Sequence, residues 1–445
     1  MTSHKRIKMQ TKIYDFIAVG LGPFNLSLAC LTEPIEELEG LFLEKNSGFD
    51  WHPGMLMPST TLQIPFMADL VTLADPTSPY SFLNYIKKQG RIYSFYIREN
   101  FLVLRNEYNQ YCQWVIQQLS NVRFNQAVEE IHYQDEEGCY YLTVTNQETQ
   151  ATEVYRAKRL VLGTGTSPTL PSCCDTVKED LVHSANYLFK KKALQQQKSI
   201  TIVGSGQSAA EIYHDLLQEI EKGYELHWIT RSPRFFPLEY SKLTLEMTSP
   251  EYVDYFHALP AQKRDNIIGK QKHLYKGINS DLINEIYDLL YTHQVAGVDM
   301  HTTLRTHSAL TAVRKEGNEF QLTLHQQEED KHYSHRTEGL VMATGYGYKQ
   351  PKFIDPIEGR IKWDDQGRYD VNRNYSIDQN ANEIFVQNAE LHTHGFVTPD
   401  LGMGCYRNAY IIKEMTGVEH YPVERKIAFQ QFGVSQEEEL MLDYQ

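Results

Sequence analysis

Two glycine-containing turns, far apart in the chain, constrain the fold most strongly. Gly20 and Gly22 form a G-x-G turn after an apolar run, and Gly204 and Gly206 form a second one after a β-branched run. An apolar, helix-forming segment follows each turn. Glycines allow a tight turn and the close approach of a pyrophosphate, whose charge then lies at the helix N-terminus. We therefore predict two strand–turn–helix units that bind dinucleotides.

The first unit has the features of an FAD site. Pro23 and Asn25 open its helix, with Asn25 in place of the third glycine of the usual fingerprint. The next apolar strand, 41–43, ends in Glu44, which lies 24 residues after Gly20. A carboxylate at this place can accept hydrogen bonds from ribose hydroxyls. We expect these residues to bind FAD.

The second unit carries guanidinium groups where the first carries a carboxylate. Gln207 and Ser208 open its helix, and the following strand, 226–229, ends close to Arg231 and Arg234. A carboxylate would repel the 2′-phosphate of NADPH, whereas arginine binds it through paired hydrogen bonds. We expect an NADPH site here; an Arg231 that only decorates a solvated strand end is the alternative.

Two further apolar strands, near 160 and 340, each end in a Thr-Gly turn, and the second of these turns contains Thr344 and Gly345. Each follows a polar stretch that alternates like a strand. We therefore predict an α/β fold with two nested Rossmann-like domains and a small helical substrate lobe. The predicted boundaries are 12–185 with 340–445 for the discontinuous FAD domain, 190–339 for the NADPH domain, and about 240–295 for the lobe inside it.

Composition excludes several classes of protein. There are 43 Lys and Arg against 57 Asp and Glu, for a net charge of −14, and no long basic block that would favour nucleic-acid binding. No apolar stretch is long enough for a membrane span. The basic N-terminus leads into a strand rather than a signal peptide. Six scattered cysteines without a C-x-x-C pair indicate a reduced, cytoplasmic protein, and no ligand cluster suggests a metal.

Several long motifs occur in order along nearly the whole chain, and they resemble the N-hydroxylating flavin monooxygenases of siderophore biosynthesis. The similarity is greatest to the branch that hydroxylates the diamines putrescine and cadaverine. The motifs are GLGPFNL (20–26), FDWHPGM (49–55), LQIPFMADLVTLADPTSPYSFLNY (62–85), GSGQSAAE (204–211), LVMATGY (340–346) and THG (393–395).

This resemblance implies that NADPH reduces FAD, that oxygen adds to form a C4a-hydroperoxyflavin, and that an unprotonated primary amine takes up the distal oxygen. It places Gln63 beside the flavin, Trp51 and His52 on a loop that packs near it, and His394 and Leu401 where the flavin pocket closes. A small amine and oxygen are the expected partners. The resemblance also implies a homo-oligomer, a dimer or a tetramer.

Three departures from the amino-acid hydroxylases of this family bear on the substrate. Those enzymes carry Lys where this chain has Ala68, and the alignment places their Asn at Leu245 and their Ser at Gly402. A substrate carboxylate left unpaired in a dry pocket would be costly. We therefore expect an amine without a carboxylate, putrescine or cadaverine, with histamine, lysine and ornithine as alternatives. For the second ammonium, Glu239, Glu246 and Asp400 are candidate partners by position alone.

Other enzymes with nested dinucleotide units fit the sequence less well. A disulfide reductase needs a redox C-x-x-C near the flavin, and the adjacent Cys173 and Cys174 are a poor substitute because neighbouring cysteines strain a disulfide. The F-x-G-x-x-x-H signature of Baeyer–Villiger and drug-type monooxygenases does not occur between the two turns. A protein that kept FAD without catalysis would have no need of Arg231 and an intact second turn.

Overall fold

The computed structural model describes residues 8–435 and 437–440. The basic N-terminal segment 1–7 and the last five residues lie outside the described residues. Each predicted strand–turn–helix unit is present, because an all-parallel sheet forms around the strand that precedes each G-x-G turn. In both sheets this strand has the Thr-Gly strand on one side and the strand after its helix on the other, so the two units repeat one design.

The first sheet consists, in spatial order, of Ile384–Val386, Leu160–Leu162, Phe16–Val19, Gly40–Leu43 and Val122–Arg123. The second consists of Val182–His183, Gly339–Met342, Ser199–Val203, Glu225–Ile229 and Thr302–Arg305.

Both sheets are covered on two faces, which explains why their central strands are continuously apolar. In the first sheet Phe16 and Ala18 pack among helices, whereas Ile17 and Val19 pack against an antiparallel sheet. The antiparallel sheet contains Gln126–Gln134, Cys139–Asn146 and Thr152–Ala157, which is joined in parallel by Lys8–Tyr14. Its counterpart in the second unit is Ser308–Glu316, Glu319–Gln326 and Lys331–Thr337.

Helices fill the remaining layers, and those of the predicted lobe follow one another from residue 242 to residue 295. Within the described residues, every helix falls short of the length and apolar character needed to cross a bilayer. The α-helices are Pro23–Thr32, Phe82–Lys88, Ile92–Arg98, Arg105–Ile116, Tyr187–Leu194, Gln207–Leu217, Lys242–Leu245, Pro250–Ala258, Ala261–Lys270, Lys272–Tyr275, Ser280–Val295, Leu391–His394 and Gly402–Thr416.

Two short ribbons complete the strands, and 3₁₀ turns join many of the elements. The ribbons pair Thr61–Pro65 with Leu102–Leu104 and Ser167–Pro168 with Tyr346–Gly347. The 3₁₀ turns are Pro53–Met55, Ser172–Cys174, Ser184–Asn186, Ile220–Lys222, Glu246–Thr248 and Lys352–Arg360.

The expected domain boundaries need adjustment at two strands. Val182–His183 and Gly339–Met342 both pair within the second sheet, whereas the predicted boundaries place 182–183 and most of 339–342 in the FAD domain. Strand pairing therefore extends the second unit to about 182–342. The ribbon between Ser167–Pro168 and Tyr346–Gly347 spans the two connections.

A buried ion pair fixes the C-terminal helix against the first unit. Arg407 Nη2 lies 2.8 Å from Glu390 Oε1, with both side chains almost fully buried. Arg407 also donates to Thr398 O (2.6 Å) and to Gln387 Oε1 (3.2 Å), and its guanidinium lies over the Phe24 ring. Burial raises the pKa of Glu390, and the Arg407 charge opposes that rise.

Replacing Arg407 with Met keeps the side-chain volume similar but leaves a buried carboxyl without its partner. We expect the free energy of unfolding to fall by about 3–5 kcal/mol, as for other broken buried pairs. Lys413→Met is the matched control, because Lys413 lies on the same helix in a solvent-exposed pair with Glu419 and should cost less than about 1 kcal/mol. Urea unfolding of both variants measures this, and equal losses would contradict the importance of the buried pair.

Candidate active site

A cavity of about 580 Å³ opens where the first unit, the second unit and the helical lobe meet. This volume is in the range of small-molecule and cofactor sites. The cavity contains most of the side chains expected near a flavin. The predicted site residues that line it are Gly22, Pro23, Asn25, Trp51, His52, Gln63, Gln207, Leu245 and Leu401.

The first G-x-G turn has the geometry that a close ligand needs. Gly20 has φ of +87°, and a Cβ there would lie 2.4 Å from Gly163 O. A Cβ on Gly22 would meet nothing within 4 Å, so the backbone is open toward the cavity. The helix Pro23–Thr32 starts without a side-chain cap, which leaves its N-terminal N–H groups available to an anion.

Asn25 replaces the third glycine for a reason that the structure makes clear. Its Nδ2 donates to Gly20 O at 2.7 Å, which ties the turn to the helix. A Cβ on Gly163 would lie 2.3 Å from this Nδ2, so the close approach is made at Gly163 instead. Asn25 Oδ1 is buried and has no hydrogen-bond partner among the residues that the structure describes.

A second cavity, of about 550 Å³, contains Glu44 and shares Gly22, Trp51 and Gly163 with the first. Leu21 N–H donates to Glu44 Oε2 (2.8 Å) and Asn46 N–H donates to Oε1 (2.9 Å), so the carboxylate is held at the strand end. The two connected cavities provide an elongated space, with Glu44 at one end and Gln63 at the other. Such a space fits an extended dinucleotide better than a compact ligand.

The second G-x-G turn is equally close to its neighbours. A Cβ on Gly204 would lie 2.4 Å from Ala343 O, and Gly206 precedes the helix Gln207–Leu217 without a side-chain cap. Ser208 lies in the first turn of this helix.

The cationic side chains near the second turn fit a phosphate. Arg231 and Arg234 are exposed, and neither forms an ion pair with an acid among the described residues. Partial burial and the charges of Lys272 and Arg231 lower the pKa of Lys276, so these three cations lie close together.

A chain of hydrogen bonds crosses from one unit to the other through the cavity wall. Arg105 forms two bonds with Glu211, Nη1 to Oε2 at 2.7 Å and Nη2 to Oε1 at 2.6 Å. Gln207 Nε2 donates to the same carboxylate (2.9 Å), and Asn279 N–H donates to Gln207 Oε1 (2.8 Å). Asn279 Nδ2 then donates to Gln63 Oε1 at 2.7 Å. We call this set the cross-unit chain.

The loop with Trp51 and His52 forms part of the cavity wall. His52 adopts a left-handed conformation (φ 53°), and its ring contacts the rings of Trp51 and Tyr346. The ring faces the cavity, but loss of hydration within the protein lowers the pKa of His52, and the Arg105 charge lowers it further. His52 is therefore a neutral side chain at neutral pH.

Of the three positions that depart from the amino-acid hydroxylases, Ala68 and Gly402 lie next to Asp400, whereas Leu245 is related to it only through the shared cavity. A Cβ on Gly402 would be 3.5 Å from Ala68 Cβ and 3.2 Å from Asp400 Oδ1. Asp400 and Leu245 line the cavity, and Ala68 is buried beside Gly402. Burial raises the pKa of Asp400, and the Gly402 N–H and the Arg407 charge oppose this rise.

The other two candidate acids are differently placed. Glu239 lines the cavity but is paired with His273 (2.9 Å) and accepts from Thr244 Oγ1. Glu246 accepts hydrogen bonds from the C-terminal segment. Asp400 is therefore the candidate acid that lines the cavity and lies next to Gly402 and Ala68.

His394, Thr344 and Gly345 are not among the residues that line either cavity. The His394 ring is fully buried, stacks on Tyr375 and hydrogen-bonds to Thr393 and Arg373, so it supports the wall from behind. Its expected contact with the cofactor is corrected on this ground. Thr344 Oγ1 donates to Thr169 O (2.5 Å) in the connection between the two units.

Comparison with known proteins agrees with this geometry. Residues 12–348 match the family described as L-lysine 6-monooxygenase/L-ornithine 5-monooxygenase. The chain belongs to this family. It is 52% identical to the putrescine N-hydroxylase of Shewanella oneidensis over 434 residues, which cover 97% of this chain and 86% of the relative.

Two solved structures of the monooxygenase family have the same fold. The cadaverine monooxygenase DfoA of Erwinia amylovora, bound to FAD, is 60% identical with a TM-score of 0.94, covering 96% of this chain and 100% of that one. The ornithine N-hydroxylase KtzI of Kutzneria, with reduced FAD, NADP⁺ and L-ornithine, is 25% identical with a TM-score of 0.83, covering 91% and 99%.

Sequence reasoning missed the middle of the cross-unit chain in this family member. Asn279 caps the helix Ser280–Val295, because its Oδ1 accepts from Asp281 N–H and Leu282 N–H. The sequence Asn279-Ser280-Asp281 before an apolar helical pattern predicts the start of a helix. Nothing local indicates that the same side chain also meets Gln63, 216 residues away in sequence.

The Glu211→Gln variant tests whether the cross-unit chain orients Gln207. Replacing one carboxylate oxygen with an amide removes an acceptor from Arg105 or from Gln207 Nε2, and Gln207 Oε1 then holds the Asn279 N–H less firmly. We expect amide exchange at Asn279 to accelerate about five-fold, the effect of losing about one net hydrogen bond. Glu219→Gln is the control, because Glu219 pairs with Lys191 and Lys222 away from the cavity. Unchanged exchange at Asn279 would show that Gln207 is held without Glu211.

Proposed function

We propose that this family member is an FAD- and NADPH-dependent N-hydroxylase that acts on one amino group of putrescine or cadaverine for hydroxamate siderophore biosynthesis. Two relatives support it by their names, one a putrescine N-hydroxylase and one a cadaverine monooxygenase bound to FAD. The observation that carries the proposal is Asp400, which lines the cavity and lies next to Gly402 and Ala68; these two are not among the lining residues.

The cofactor assignments rest on the two turns. Gly20, Gly22 and the start of the first helix would hold the FAD pyrophosphate, and Glu44 its ribose. Gly204, Gly206 and Ser208 would hold the NADPH pyrophosphate, with Arg231 and Lys276 at its 2′-phosphate. When bound, FAD reduced by NADPH activates oxygen and delivers one oxygen atom to the substrate nitrogen.

Protein groups around the cavity would treat the two ends of a diamine differently. Beside Gln63 the walls include Leu62 and Ile64, and a low-polarity environment favours the neutral form of an amine over its ammonium. A neutral amine has the free lone pair that N-hydroxylation requires. At Asp400 a carboxylate favours the ammonium form instead. One amino group would therefore be kept charged and anchored while the other is held neutral.

The same arrangement disfavours amino acids. Lysine and ornithine would bring a carboxylate together with an α-ammonium to the anchored end, with no lysine at position 68 to neutralise that carboxylate. Two like charges in a partly buried site repel strongly. Histamine remains a second candidate, because a protonated imidazole could also pair with Asp400.

Hydroxylamine formation with FAD and NADPH tests the proposal on putrescine, cadaverine, histamine, ornithine and lysine. We expect product from a diamine, little from histamine, and none from ornithine or lysine. Selective turnover of histamine would keep the reaction and replace the substrate. Turnover of ornithine or lysine at comparable kcat/KM would overturn the inference drawn from Ala68.

The Asp400→Asn variant tests the anchor. Loss of a charge-assisted hydrogen bond should raise KM for the diamine about tenfold to a hundredfold. Butylamine or pentylamine, which lacks the second ammonium, is the control substrate, and its KM should be the same in both proteins.

The anchor also predicts the direction of the pH dependence. Because burial raises the pKa of Asp400, its carboxylate is protonated at a higher pH than that of a free aspartate. KM for the diamine in the natural protein should therefore rise as the pH falls through the pKa of Asp400, and the Asn variant should lose this dependence. An equal loss for diamine and monoamine would mean that Asp400 serves only the fold.

We also propose a cytoplasmic homo-oligomer. Support comes from the helix Ile92–Arg98, whose Tyr93, Tyr96 and Ile97 are each more than 70% exposed and form an apolar face next to Phe101. Faces of this kind commonly mark protein contacts. Light scattering of the purified protein decides this, since a monomeric mass would contradict it.

A further inference from the structure

One short element separates the substrate cavity from the C-terminal segment. It consists of the helix Lys242–Leu245 and the 3₁₀ turn Glu246–Thr248. Thr244, Leu245 and Thr248 face the cavity and form part of its wall. We call the element 242–248 the wall element. None of its residues is fully buried, and Met247 packs against the cluster of Tyr252, Phe256 and Phe396.

The opposite side of the wall element is bound by the C-terminal segment. Phe429 N–H donates to Glu246 Oε1 (3.0 Å), and Gln430 N–H donates to Oε2 (3.0 Å). Gln430 Nε2 adds bonds to Glu246 Oε2 (2.9 Å) and to Leu243 O (2.6 Å). Both carboxylate oxygens are therefore used, and the backbone bond from Phe429, followed by the bond from Gln430, lowers the pKa of Glu246.

A second carboxylate and an aromatic contact extend the attachment. Ile427 N–H (2.7 Å) and Ala428 N–H (3.0 Å) both donate to Glu251 Oε1 at the start of the next helix. Phe432 then packs edge-on against Tyr252, with ring centroids 5.1 Å apart. The backbone N–H groups of residues 427 to 430 thus all donate to the side chains of Glu246 and Glu251 in the lobe.

The other end of the C-terminal segment is attached to the first unit. It continues from the helix Gly402–Thr416, and Tyr421 OH donates to Leu31 O (2.7 Å) in the first helix of the chain. That C-terminal helix starts at Gly402, next to Asp400. One stretch of chain therefore runs from the proposed ammonium anchor to the back of the wall that carries Leu245.

We propose that residues 427–432 act as a brace that holds the wall element against the substrate, and that Glu246 is the positioning residue of this brace. The inference deepens the proposed function and rests on it for the identity of the amine. Glu246 does not touch the cavity; it acts through Leu245 and Thr244. A displaced wall would enlarge the site and weaken amine binding. It would also admit water, so that oxygen would leave as hydrogen peroxide and less hydroxylamine would form.

The Glu246→Gln variant tests the brace with little change in volume. Its amide NH₂ would face N–H donors, so at least one of the three bonds to this side chain is lost. The Gln430→Ala variant removes the side-chain half of the contact from the other partner. The control is Glu424→Gln, an exposed glutamate of the same segment with no hydrogen bond or ion pair recorded among the described residues.

Three readouts are needed. Hydrogen exchange at the amides of Phe429 and Gln430 reports whether the brace is attached, and it is independent of the substrate. Steady-state kinetics with putrescine and cadaverine give KM, kcat and the ratio of hydroxylamine formed to NADPH consumed. Anaerobic reduction of the bound flavin by NADPH is the third readout, because it reports on the NADPH site separately from amine binding.

In Glu246→Gln and Gln430→Ala we expect faster exchange at the amides of Phe429 and Gln430. The KM for the diamine should rise about five-fold, the effect of one weakened hydrogen bond, and the ratio of hydroxylamine formed to NADPH consumed should fall. Flavin reduction should be unchanged, and Glu424→Gln should match the natural protein. Faster exchange with normal KM and coupling would overturn the positioning role. Unchanged exchange would overturn the contact itself. If no amine is hydroxylated by the natural protein, the proposed function fails, whereas the exchange result still decides whether the brace exists.

Discussion

The paired bonds between Arg105 and Glu211 are the interaction on which the site depends most. Arg105 begins a helix of the first unit, and Glu211 lies in the helix that follows the second G-x-G turn. With only 14% and 3% of their side chains exposed, the two groups form a pair that solvent screens little. They fix the distance between two separately folded sheets. A hydride can pass between two nucleotides only when their reactive rings meet, so a proposed FAD–NADPH enzyme needs this distance to be set.

The cross-unit chain also connects the second unit to the Gln63 side chain of the first. Glu211 orients Gln207, Gln207 holds the backbone of Asn279, and Asn279 holds the Gln63 side chain. Every member has a protein partner, which makes the chain rigid. A fully bonded polar network of this kind specifies one arrangement of the wall, whereas a partly bonded one would leave buried groups unpaired. Gln63 is thereby presented to the cavity in one orientation without a direct bond to either sheet.

Sequence patterns predicted the repeated elements of this fold well and the contacts between them poorly. The two strands before the turns, the helix that Gln207 and Ser208 open and the alternating strands before each Thr-Gly turn all formed where the sequence pattern placed them, because they depend on local apolar spacing. The domain boundary near 340 was displaced, since only strand pairing shows that Gly339–Met342 belongs to the second sheet. His394 shows the same limit: a Thr-His-Gly turn can be recognised from letters, but whether its imidazole faces a cavity or a core depends on Tyr375 and Arg373, which come from other segments.

The substrate end shows how a specificity can be changed by few side chains. Ala68 and Gly402 place a methyl group and a hydrogen atom next to Asp400 where a cationic side chain could otherwise stand, so the proposed anchor would prefer a cation. Selection between diamines of different length would then depend on the distance between this anchor and the reacting nitrogen. The wall element would influence that distance, because it forms part of the same cavity. The wall element in turn is held by the chain that follows Gly402. The proposed ammonium anchor and the proposed brace of the wall element are thus connected through a single stretch of backbone.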